Sequence, residues 1–204
     1  MQGVIADEFV SSAGWLATLA ASVGPADWDR PGLGAWNVRS LLGHAARALV
    51  TVEDYLARPA QRVDTLTALA YLMLAGKADP AAIAARGFTA GNDLGDEPAA
   101  RVAELAARVS KLVAITEPNA TMSTTAGSMT LEAYLPTRTV ELIVHGCDLA
   151  SAIGADLDPP PGAAASVARL LTDAYVATGR SAMLCLALAG RPVNPAALIL
   201  WPSS

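Results

Sequence analysis

The chain has 204 residues, with 14 lysines and arginines against 19 aspartates and glutamates, a net charge of -5, and 53% hydrophobic but only 16% charged residues. That length and apolar content describe one compact domain with at most a small appendage, and they exclude a chain disordered throughout, which needs low hydrophobicity and a high net charge. A pI of about 4.9, with Lys77 and Lys111 the only lysines, leaves no basic stripe for phosphates or anionic head groups, so neither nucleic acid nor a membrane surface is expected as a partner.

Two cysteines, Cys147 and Cys185, are too few for a disulfide framework and form no C-x-x-C pair, which fits a reducing cytoplasm. The N-terminal residues lack a positive region, and Asp7 and Glu8 follow at once, so a secretory signal is not expected. The longest apolar stretches, around 66–75 and 182–189, fall short of the roughly 18 residues a spanning helix needs. A soluble protein is therefore expected. Abundant alanine, and arginine far in excess of lysine, are the mark of a high-GC genome.

Apolar residues recur at helical spacing and alternating β-branched runs are nearly absent, so the chain reads as all-α. A first helix is predicted from Gly3 to about Ser22, stopped by Gly24-Pro25, with a loop over 26–35. Asn37 is a good cap for a second helix from Val38 to about Arg58, striped by Val38, Leu42, Ala45, Leu49, Val52 and Leu56. Asp64 is the expected cap of a third helix ending near Gly76, Pro80 to Arg86 reads as another turn or two, and the glycine-rich 87–96 reads as loop. A helix over 98–116 buries Val102, Leu105, Val109 and Leu112, and the Thr, Ser and Gly of 118–129 form a connection. Thr130 caps a long helix over 131–153, with Pro136 in its first turns or just at its start. The breaker Asp158-Pro-Pro-Pro-Gly162 divides a bundle over 1–158 from a helical C-terminal segment over 163–204, itself broken near Gly179 and ending in a lone strand or packed arm at 195–201.

Only two histidines are present. On the helix over 131–153, Arg138, Glu141, His145 and Asp148 follow at spacings of 3, 4 and 3, which sets all four along one face. A carboxylate and an imidazole one turn apart can close on one divalent ion, and helical bundles build metal sites this way. His44, beside the apolar stripe of the second helix, is the third candidate, and His44, Glu141 and His145 together supply the two nitrogens and one oxygen of a catalytic zinc site with an open fourth position. Nickel, iron and manganese suit the same donors. The competing reading is an exposed i,i+4 ion pair at Glu141 and His145 with a partly buried structural His44; against it, four ionisable groups on an otherwise apolar helix need partners. Arg138 and Asp148 are then groups that orient the ligands or bind an acidic substrate. Cys147 lies about 200° around the helix from His145, Cys185 reads as a core residue, and Trp15, Trp28, Trp36 and Trp201 read as packing residues, Trp36 also as a pocket wall. No phosphate-binding glycine loop, G-x-S-x-G elbow or H-E-x-x-H pair occurs.

The segments Trp36-Asn-Val-Arg-Ser-Leu-Leu-Gly-His44 and Thr137-Arg-Thr-Val-Glu-Leu-Ile-Val-His145-Gly-Cys-Asp-Leu149, with helices between them, resemble the mycothiol-dependent maleylpyruvate isomerase family of the DinB-like superfamily over about residues 3–155. The resemblance implies a DinB-like four-helix bundle, a zinc ion on the residues matching His44, Glu141 and His145, and a low-molecular-weight thiol, mycothiol, as cosubstrate. Members with isomerase activity carry a further C-terminal domain that contributes to the active site, and the residues after Gly162 are too few to supply it in full. Thiol transfer to a small electrophilic substrate is thus expected alongside isomerisation. The alternative is a non-catalytic metal-binding or dimerisation module, with the apolar 198–201 arm packed on a second copy in a homodimer.

Overall fold

Most segments with apolar spacings of three and four are helices in the computed structural model, which describes residues 2–76 and 79–200. Among the described residues these are α1 (Gln2–Ala21), α2 (Val38–Leu56), α3 (Ala68–Ala75), α4 (Pro80–Asp93), α5 (Pro98–Ile115), α6 (Leu131–Ile153), α7 (Pro161–Ala177) and α8 (Ser181–Leu188). A two-stranded antiparallel hairpin, β1 (Thr121–Thr124) with β2 (Gly127–Thr130), precedes α6. The all-α expectation holds.

Four long helices make the body. α1 packs on α5 and α6, and α2 packs on the same two, so the order around the bundle is α1, α5, α2, α6. Phe9, Leu16, Leu19, Leu42, Leu49, Val52, Val109, Leu142 and Leu149 are fully buried between them. At roughly 1.5–3 kcal/mol for each large apolar side chain removed from water, this core is what holds the helices together. By length and composition alone α1 could cross a membrane over Gly3–Ala21, a stretch longer than those the sequence suggested. In this fold its apolar face is core.

The two helices that matter most are well terminated. Asn37 accepts a hydrogen bond from the Ser40 amide at the start of α2, and Thr130 accepts one from Ala133 at the start of α6. Pro136 lies inside α6 rather than at its start. Placed in the second turn, it removes one ladder bond and leaves the later turns intact.

α4 lies outside the bundle against α2 at backbone contact. A Cβ on Gly43 would sit 2.3 Å from the Gly91 amide nitrogen, and one on Gly91 would sit 2.8 Å from the Ser40 Cα. The glycines of 87–93, which suggested a loop, are therefore helical, and they permit that close approach. Asp64 does not cap α3. Thr67 does, accepting from the Ala70 amide, while Asp64 accepts from the amide (3.3 Å) and hydroxyl (2.6 Å) of Ser128 and so ties the segment before α3 to the hairpin. The hairpin itself occupies the stretch read as a plain connection, and Leu112 is only partly buried, with Val113 taking the inner position.

Beyond the proline run, α7 packs on α1, α3 and α6, and its Ala163 and Val167 join the same core. α8 buries none of its residues. Cys185, expected in the core, is exposed on it: α8 packs against the short turn Pro195–Leu198, which leaves none of its residues fully buried. The tail forms a short 3-10 turn, Pro195–Leu198, rather than a strand. It is an arm held by the Tyr175 hydroxyl and the Arg180 guanidinium, both donating to the Ala197 carbonyl. Trp201 lies outside the described residues.

Candidate metal centre

The adjacency of α2 and α6 brings both histidines together. His44 comes from α2, and Arg138, Glu141, His145 and Asp148 come from successive turns of α6. Nε2 of His145 lies 3.3 Å from Oε2 of Glu141, and Nε2 of His44 lies 3.7 Å from the same oxygen. One ligand atom from each of the three residues falls within 4.8 Å of the others. Bonds of about 2.0–2.1 Å to a tetrahedral ion put neighbouring donors about 3.4 Å apart. The two contacts to Glu141 bracket that spacing and the third donor pair lies within 4.8 Å, so a small closing of the side chains fits the residues present to a divalent ion.

The exposed-pair reading does not describe this geometry. The side chains of His44 and His145 are 14% and 17% exposed, and Glu141 is 30% exposed. The donors are thus largely buried, with Glu141 the most accessible of the three.

The helix face also places the supporting groups. Nδ1 of His145 lies 3.1 Å from Oδ2 of Asp148, the carboxylate contact that ligating histidines commonly make. Arg138 is buried, and its Nε donates to the Thr137 hydroxyl at 3.0 Å. Its guanidinium carbon stands 4.8 Å from the Tyr134 ring centre and 5.4 Å from that of Tyr71, while one terminal nitrogen is 4.0 Å from Glu141 Oε1. Two neighbouring aromatic rings, their centres 5.5 Å apart, lower the cost of keeping this cation out of water. Tyr134, one turn before Arg138, was within reach of helical spacing; Tyr71, from the distant α3, was not.

These contacts set the charges. Burial pushes the Glu141 carboxyl up, yet the facing imidazoles and the Arg138 charge outweigh it and hold the group well below the usual carboxylate range. Burial likewise works against a charged His145, but the Asp148 and Glu141 carboxylates prevail and raise it to about 9. For His44 burial wins, and the ring is lowered from its ordinary value and neutral at pH 7. Two imidazoles with opposite shifts share one carboxylate.

The cysteines stand apart. Cys147 and Cys185 are both exposed and unpaired. Partial burial, then the charges of Asp148 and Asp158, push the Cys147 thiol up, the reverse of what a reactive thiol needs.

The family model of the mycothiol maleylpyruvate isomerase N-terminal domain matches residues 11–150, more than half of the chain. The chain belongs to that family. Comparison with curated proteins and with solved structures finds no match. The matched span of this mycothiol maleylpyruvate isomerase N-terminal domain runs from α1 through nearly all of α6. It takes in His44, Glu141, His145 and Asp148, and it is a DinB-like helical domain. The family is associated with metal binding and with mycothiol.

Proposed function

We propose that this chain is a divalent-metal enzyme that uses mycothiol, a low-molecular-weight thiol, for transfer to, or isomerisation of, a small electrophilic substrate. The observation that carries this reading is the triad of donors, His44, Glu141 and His145, gathered about one carboxylate oxygen in a member of this family. Three protein donors leave one position of a tetrahedral ion free, the arrangement of catalytic rather than structural zinc. Zinc suits the set, and nickel, iron and manganese accept the same mixture of imidazole and carboxylate. When bound, such an ion lowers the pKa of a coordinating thiol and so provides a thiolate nucleophile at neutral pH.

The chain's own residues have separable tasks. Asp148 holds the His145 ring by Nδ1 and thereby directs Nε2 toward Glu141. With the two imidazoles, the charge of Arg138 keeps Glu141 ionised, and its terminal N–H groups, which make no hydrogen bond among the described residues, are available to an acidic group of the substrate. No protein thiol is needed as nucleophile, and unpaired cysteines suit a reducing cytoplasm.

The test is calorimetric titration of metal-loaded protein with mycothiol, glutathione and cysteine, repeated on His145→Ala. Metal-dependent heat with one thiol supports the reading and identifies the cosubstrate. Full metal occupancy with no heat from any thiol contradicts it. A second reading, a non-catalytic module that pairs with another copy, draws on α8, an apolar helix with no buried residue; concentration-dependent mass in sedimentation, with no thiol binding, favours it.

A further inference from the structure

His44 lacks the support His145 enjoys. Its Nδ1 is buried and has no hydrogen-bond partner among the described residues, whereas ligating histidines usually have the non-ligating nitrogen fixed by a carboxylate or carbonyl. Something else must hold the ring. The indole of Trp36 lies over it, with ring centres 4.4 Å apart and planes tilted by 30°, a stacked arrangement with real orienting force. The same indole stands edge-to-face with His145, ring centres 6.3 Å apart at 76°.

Trp36 is itself constrained from three directions. Its Nε1 donates to the Ala84 carbonyl of α4 at 2.9 Å. Its backbone closes a tight loop, the carbonyl accepting from Gly32 at 2.8 Å and the amide donating to Leu33 at 2.9 Å. Its ring rests where a side chain on Gly87 would be, since a Cβ there would sit 2.4 Å from indole Cε2 and Nε1. A ring that is 3% exposed and so held is a fixed plane.

We infer that Trp36 is the positioning residue for His44, doing by ring stacking what Asp148 does for His145 by hydrogen bonding. The inference rests on the metal-site reading above and concerns how one ligand is aimed. It also gives α4, outside the bundle, a part in the site: the Ala84 carbonyl and the Gly87 gap fix the indole, and the indole fixes the imidazole.

Cobalt(II) is the probe, because its visible absorption reports ligand geometry and its affinity can be titrated against a chromophoric chelator. Trp36→Leu keeps apolar bulk but removes the aromatic plane, and Trp36→Phe keeps a plane. Folding is checked for each by circular dichroism. The expected result is an affinity lower by about 10–100-fold and an altered cobalt spectrum in Trp36→Leu, with Trp36→Phe returning most of the affinity and the wild-type band shape. A merely structural tryptophan would lower the melting temperature without moving the spectrum of the folded protein. Wild-type affinity and spectrum in folded Trp36→Leu overturn the inference and leave the metal site standing. If Trp36→Leu does not fold, Gly87→Ala, which displaces the indole while favouring helix, carries the same expectation, and unchanged cobalt binding there overturns it. A wild-type protein that takes up no cobalt overturns the metal-site reading and this inference with it.

Discussion

Nδ1 of His145 and Oδ2 of Asp148, one turn apart on α6, are 3.1 Å from each other. A carboxylate accepts and does not donate, so the proton stays on Nδ1 and Nε2 is the nitrogen turned toward Glu141. Asp148→Ala removes that control without removing a ligand. Metal affinity should fall by about 10–100-fold, less than in His145→Ala, as read by chelator competition. Equal losses in the two variants would make Asp148 a ligand in its own right.

The pH dependence of metal uptake follows from His145. In metal-free protein the imidazolium persists to about 9. A raised value means that the stabilisation is fully present below the unfolded value of about 6.5 and is lost as pH rises through about 9. An ion must displace the Nε2 proton, so affinity should climb by up to about tenfold per pH unit and level off near 9, with proton release on binding. Chelator competition at several pH values checks this; an affinity flat with pH contradicts it.

Arg138 is a buried cation lying against two adjoining tyrosine rings, and removing it has two consequences. Arg138→Ala leaves a gap beside Tyr71 and Tyr134, so stability to urea should drop by about 1–3 kcal/mol. It also takes away one of the charges that keep Glu141 low, so the pH at which metal is lost on acidification should rise, while affinity near neutral pH should change far less than in Glu141→Ala. Arg138→Lys keeps the charge but not the guanidinium lying over the two rings, and should recover the acid limit of metal binding more than stability.

Much of this was legible in the sequence. Helical spacing put Arg138, Glu141, His145 and Asp148 on one face, and the caps Asn37 and Thr130 marked where α2 and α6 begin. What spacing could not reveal was tertiary: that glycines at 87 and 91 serve helix contact rather than a turn, that Asp64 serves the hairpin rather than α3, or that Trp36 stacks on His44. Cys185 misled because an apolar run predicts burial only where another surface exists to receive it.

The close approach of α2 and α4 links fold to site. Gly43 precedes His44, and a Cβ there would meet the Gly91 backbone. Gly43→Ala should cost about 1–3 kcal/mol in stability by overpacking and should weaken metal binding by shifting His44, whereas Gly3→Ala, a helical position with nothing near its added Cβ, should leave metal binding unchanged and not lower stability. Thermal melts and cobalt titration of both variants check the pair.

Protein thiols should be dispensable. With both cysteines exposed and Cys147 pushed up, the Cys147→Ser, Cys185→Ser double variant should retain any thiol-dependent activity. Complete loss would contradict the scheme in which the nucleophile is the cosubstrate.

The most direct measurement is elemental analysis of protein purified without an affinity tag, before and after reconstitution, for wild type and His44→Ala. The account predicts close to one divalent ion per chain in the wild type and its loss in His44→Ala, since two donors from α6 do not make a site. Wild type and variant equally free of metal after reconstitution would contradict it.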